Sequence, residues 1–155
     1  MNISKNLLLA ALISPLATSA LAAPSINNMQ TCQGVIDFVE YKLDSAPDKY
    51  PQEDLNAVRL GLEGYDNFIQ QEIVTPGLLQ FNGGDSAKAK AMQKQVDEYK
   101  TTIVSGLKKQ YKDTRFYTDF AVAINDCAKQ SVPAGQALEN LKVAINTLVK
   151  LAKMG

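Results

Sequence analysis

The 155-residue chain contains no histidine and no tryptophan, and only two cysteines. The missing histidine removes several chemistries together. Ser-His-Asp and Cys-His triads, imidazole acid–base catalysis, histidine-ligated haem and the commonest zinc sites all depend on that side chain. No CxxCH motif exists to attach haem, and the cysteines, Cys32 and Cys127, are too far apart in sequence to form a CxxC redox pair. GxSxG, P-loop and EF-hand patterns are absent too. Met29 and Met92 fall on apolar stripes, where packing is the ordinary role of methionine. No cofactor, metal or catalytic residue is expected.

Net charge is also missing. Sixteen basic residues balance sixteen acidic ones, so the chain lacks the cationic excess of a dedicated nucleic-acid binder. The charges are unevenly spread. Residues 24–79 hold nine acids and three bases, whereas residues 80–155 hold seven acids and twelve bases. Two halves that pack together and complement one another account for this simply; the alternative is a basic face that captures an anionic partner.

Long apolar runs are confined to the N-terminus. Lys5, the apolar stretch Leu7 to Leu16 and the small-x-small triplet Ala20-Leu21-Ala22 have the order of a bacterial Sec-type signal peptide. The apolar part falls short of the roughly 20 residues that span a bilayer. No cysteine follows it at lipoprotein distance. Residues 1–22 are therefore expected to be removed after export, leaving residues 23–155 as one domain of ordinary size, periplasmic or secreted, without a transmembrane segment. Two cysteines in an exported chain read as one disulfide. Joining Cys32 to Cys127 closes a loop of about a hundred residues, contributing about 4–5 kcal/mol in the chain-entropy account.

The rest of the chain reads as helices. Apolar residues recur at spacings of three and four in five segments. Met29, Cys32, Ile36, Val39 and Leu43 mark the first, from Asn27 to Leu43. Leu55, Val58, Leu62, Tyr65 and Ile69 mark the second, which starts near Pro51 and is expected to stop at Thr75-Pro76-Gly77. Leu78, Leu79 and Phe81 then lie in a connection predicted to fold back on the core, with a turn at Asn82-Gly83-Gly84 and a cap from Asp85 or Ser86. The third helix, Ser86 to Tyr111, is predicted to turn Met92, Val96, Tyr99, Ile103 and Leu107 inward. Phe120, Ala123, Ile124 and Cys127 mark the fourth, Phe116 to Gln130. Leu138, Leu141, Ile145, Leu148 and Leu151 mark the fifth, Pro133 to Lys153. Gly61 and Gly64 inside the second helix each cost about 1 kcal/mol against alanine, acceptable where a neighbour packs closely. The fold class is all-α, a single-domain bundle of four to five helices with one disulfide.

Two groups of residues bear on function. Glu63, Asp66 and Glu72 share one helix, and Asp97-Glu98 and Asp119/Asp126 are further acid pairs. Carboxylate-based hydrolysis requires two such acids facing each other across a cleft, whereas acids at helical spacing ordinarily form a solvated face. The second group is "KKQYKDTRFY", residues 108–117. It interleaves Lys108, Lys109, Lys112 and Arg115 with Tyr111, Phe116 and Tyr117. Cations among aromatics suit an acidic protein patch or another anionic envelope component, either anionic glycans or phospholipid head groups. The alternative is a helix C-terminus whose lysines complement the dipole, followed by a loop pinned by its aromatics. Tyr65 and Tyr99 are read as core, and Tyr50, Tyr111 and Tyr117 as rim.

In export, helicity and the Cys32–Cys127 arrangement, the general plan resembles the small exported helical proteins of Gram-negative bacteria, a group that includes acid-stress chaperones and immunity proteins. The expectation is a non-enzymatic, exported protein that binds a macromolecule, immunity- or inhibitor-like. A chaperone would need acid to expose its apolar stripes, and without histidine that switch falls to carboxylates below about pH 5. A carboxylate hydrolase is the remaining alternative.

Overall fold

The computed structural model describes residues 25–155, and the expected signal peptide lies outside them. The described residues are all-helical, with α1 at Ile26–Asp44, α2 at Gln52–Phe68, α3 at Thr75–Phe81, α4 at Ser86–Gln110, α5 at Thr118–Gln130 and α6 at Gly135–Ala152. A π-helical turn, Ile69–Val74, joins α2 to α3 without a break.

That continuity corrects the expected stop at Thr75-Pro76-Gly77. Pro76 occupies the first turn of α3, where its missing N–H is least harmful. The widened turn before it re-phases the helix around the ring. The chain turns at Asn82-Gly83-Gly84, where Gly83 and Gly84 take positive φ of 62° and 84°. Asp85 then caps α4, its Oδ1 accepting the N–H groups of Ala87 and Lys88 at 3.0 Å each.

Helix α1 is the hub. It packs against α4, α5, α2 and the π turn, while α2 pairs with α6 and α5 leans on both α1 and α6. Its expected stripe, Met29, Cys32, Ile36, Val39 and Leu43, is buried as read. A second buried face, Gln30, Gln33, Gly34, Phe38 and Lys42, carries mostly polar residue types and so left no apolar signal. Cys32 on α1 and Cys127 on α5 form the disulfide, with Cα atoms 5.7 Å apart and a sequence separation of 95.

Helix α2 crosses α6 closely. A Cβ at Gly61 would lie 2.4 Å from the carbonyl oxygen of Asn140 and 2.5 Å from the Cβ of Ala144, while one at Gly64 would meet nothing within 4 Å. Of these two glycines, Gly61 alone marks a close approach. Lys150 reaches Asp54 across this crossing at 2.7 Å, and Lys100 on α4 reaches Asp37 on α1 at 3.2 Å. In these two pairs the basic half of the chain does complement the acidic half.

Helix α4 departs most from expectation. None of its 25 residues is fully buried. Met92, Val96, Ile103 and Leu107 are half-buried, but Tyr99 is exposed. The helix touches α1 and α3 on one side only, so its apolar stripe is half covered. In the segment before it, Leu78 is buried, whereas Leu79 and Phe81 are exposed rather than folded back, Phe81 to 73%.

Candidate functional site

Residues 108–117 close the C-terminal end of α4 and lead into α5. The aromatics face inward. Phe116 is buried edge-on against Tyr50, ring centroids 5.0 Å apart. Tyr111 stacks among Phe38, Phe120 and Tyr117 at 5.0 to 5.9 Å. Tyr50 is accordingly core, not rim, and the Tyr99 assignment is reversed as well.

Beneath the loop lies Lys42, which no periodicity marked. It is buried on α1, and its Nζ donates to the carbonyl oxygens of Tyr111, at 2.9 Å, and of Asp113. Those carbonyls belong to the end of α4 and the loop beyond, where helix acceptors lack intrahelical donors. The ammonium also sits 5.5 Å from the Phe38 ring centroid. Burial pushes its pKa down, and the Asp113 carboxylate partly opposes that shift.

The loop is tied at the surface too. Arg115 donates to Asp113 from its backbone N–H, Nε and Nη2 at 2.9 to 3.0 Å, and the Tyr117 hydroxyl donates to Asp113 Oδ2 at 2.6 Å. The Tyr117 bond, followed by those from Arg115, holds the Asp113 carboxyl down at about 2. Arg115 is therefore engaged within the loop. Lys108, Lys109 and Lys112 are exposed, and among the described residues none has a carboxylate within salt-bridge distance. Lys108 lies over the Tyr41 ring, 3.6 Å from its centroid. The site is thus the last turn of α4, which carries Lys108 and Lys109, and the tied loop after it, which carries Lys112, with none of the three ammonium groups paired to a carboxylate and Tyr41 beside Lys108.

The acid pairs fall elsewhere. Glu40 on α1 and Asp66 on α2 both have raised pKa values: burial is the main cause at each, neighbouring acids add to it at Glu40, and a hydrogen bond from Gln33 and the Lys100 charge partly oppose it at Asp66. Three grooves at the described surface carry no carboxylate in their walls. Among the described residues no group of three or more Cys, Asp or Glu is placed to hold a metal ion, and no helix is long and apolar enough to cross a membrane. The fold and site together define an all-helical, disulfide-bridged domain. Compared with protein-family models, curated proteins and solved structures, the chain matches none.

Proposed function

We propose that this is an exported, non-enzymatic binding protein that recognises an acidic protein surface, in the manner of an immunity or inhibitor protein, through the end of α4 and the loop after it. The observation that carries the reading is the set of three ammonium groups without a carboxylate partner, Lys108 and Lys109 on the last turn of α4 and Lys112 on the loop after it, a loop fastened from below by Lys42 and Phe116. Lysines already paired within a surface have little left for a partner. Unpaired ones on a pre-formed backbone steer encounter and fix orientation without a large ordering penalty. A rigid loop suits a partner of fixed shape, which favours a protein over a fluid lipid surface. The disulfide supports an oxidising compartment, periplasmic or secreted.

The test is a triple reversal, Lys108→Glu, Lys109→Glu and Lys112→Glu, in the oxidised protein. Cross-linking pull-down from envelope extract should recover an acidic protein partner with the parent and lose it with the triple variant, while circular dichroism of the two stays the same. Recovery by both proteins removes this surface from the reading. Binding of the parent to anionic-lipid vesicles, with no protein partner recovered, overturns the acidic-protein reading.

A further inference from the structure

We propose that Met154 and Gly155 form a strap closed over Tyr50, and that lifting it uncovers a carboxylate-binding site made of the Tyr50 hydroxyl and the Lys49 ammonium. Both site residues belong to the connection between α1 and α2, where the Tyr50 N–H donates to the Pro47 carbonyl at 3.1 Å and fixes a tight turn. The Tyr50 ring packs edge-on against Phe116, and the side chain is 1% exposed. Its cover comes from the residues after α6. A Cβ built on Gly155 would lie 3.1 Å from the Tyr50 hydroxyl oxygen and 3.4 Å from the Cβ of Arg115. The strap therefore runs between the hydroxyl and the stem of Arg115, at the edge of the basic loop. The acidic partner inferred above is the molecule that would use the site, and the proposal rests on that reading for its ligand alone.

The closed strap is loosely held and leaves a polar group unsatisfied. The Tyr50 hydroxyl is buried and has no hydrogen-bond partner among the described residues. An orphaned buried group disfavours the state that contains it by about tenfold. Water reaches the hydroxyl once the strap lifts, so this penalty acts against closure. The Met154 N–H bonds back to the Leu151 carbonyl at 3.1 Å. Beyond that turn the polar hold on the strap is one long, exposed contact, from Lys49 Nζ to the Met154 carbonyl at 3.4 Å. Met154 itself is 39% exposed. Among the described residues Lys49 has no carboxylate within salt-bridge distance, and its ammonium lies 5.0 Å from the Tyr50 ring centroid. Lifting the strap thus frees the ammonium and the phenol together. An O–H donor beside an unpaired ammonium matches a carboxylate, which only accepts hydrogen bonds.

The test opens the strap in two ways, by deleting Met154 and Gly155 and by Gly155→Leu, which crowds the hydroxyl at unchanged chain length. Lys153, which caps α6, is kept in both. In urea denaturation Tyr50→Phe should strengthen folding of the parent about tenfold and leave the shortened chain unchanged, because water there already satisfies the hydroxyl. An equal effect of Tyr50→Phe in both backgrounds overturns the strap. The ligand probe is a hexaglutamate peptide at low salt, followed by titration calorimetry. Both opened forms should bind it about tenfold more tightly than the parent, and Tyr50→Phe or Lys49→Met should each remove that gain. No gain on opening, or a gain that survives either substitution, overturns the site. The triple reversal at Lys108, Lys109 and Lys112 separates this proposal from the basic-loop reading. A gain that persists in the triple variant supports the site even if the loop reading fails. A gain lost with those three lysines assigns the peptide to the loop and overturns the site.

Discussion

Two glycines three residues apart on α2 have opposite meanings. At Gly61 the added methyl would drive into the Asn140 carbonyl and Ala144, inside any tolerated contact distance, while Gly64 faces open space. Alanine favours a helix over glycine by about 1 kcal/mol at either position. At Gly64 nothing opposes that gain, so Gly64→Ala should raise unfolding stability by roughly 0.5–1 kcal/mol. At Gly61 the α2–α6 crossing must open, and Gly61→Ala should lower stability by about 1–3 kcal/mol net. Urea denaturation of the pair checks both signs. A sequence reading gives these glycines the same cost, because the distinction lies in a helix 80 residues downstream. Lys42 was equally hidden: lysine signals a surface, and its partners are backbone carbonyls without side-chain identity. Lys42→Met leaves the carbonyls of Tyr111 and Asp113 without that donor, so hydrogen exchange at residues 111–115 should accelerate, with a stability loss of about 1–3 kcal/mol.

Among the elements, those with a single apolar stripe were legible and those with two partners, or half of one, were not. The buried positions of α2 and the cysteine-bearing face of α1 follow directly from spacing, and that of α5 does so except that Ala121 is buried where Ala123 was expected. The second face of α1 did not, because Gln30, Gln33 and Lys42 are polar residue types that periodicity reads as surface. Helix α4 misled in the other direction. Its stripe at Met92, Val96, Ile103 and Leu107 is real, yet the fold covers only one edge of it. The π turn was invisible because Pro76 reads as a stop when only regular helices are considered. Its placement of Gln70 between Gln33 and Gln93 is testable by deleting one turn residue. Removal of Gln71, an exposed residue of that turn, should let the segment relax to α-helix, swing Gln70 out of register and separate α4 from α1. Loss of cross-peaks between α1 and α4, with the helical content by circular dichroism retained, is the expected signature.

At the scale of the molecule, the acids act in opposing directions as pH falls. Glu40 and Asp66 have raised folded-state pKa values, so the native state takes up their protons before the unfolded state does, and stability rises as pH drops through them. Asp113 is held at about 2, so its contribution is complete above its unfolded value near 3.8 and fades only as pH falls toward about 2. The sum is a stability maximum in mild acid, with urea midpoints at about pH 5 no lower than at pH 7 and a decline below about pH 4. An apolar dye should stay dark at about pH 5; a bright signal there would instead support an acid-triggered chaperone. Reducing the disulfide should lower stability by about 4–5 kcal/mol, a large share of the 5–15 kcal/mol typical of a domain.

The bridge also makes the chain's loops unequal toward a protease. The Asn82–Gly84 turn lies between the two cysteines, so hydrolysis there yields two fragments still joined by sulfur. They would migrate as one species until a thiol is added. Helix α6 lies beyond Cys127, so a single cut between residues 131 and 135 severs its only covalent tether and exposes the α2 face it covers. Fragment sizes on paired reducing and non-reducing gels would therefore report which loop was nicked, and function should outlast the first cut but not the second.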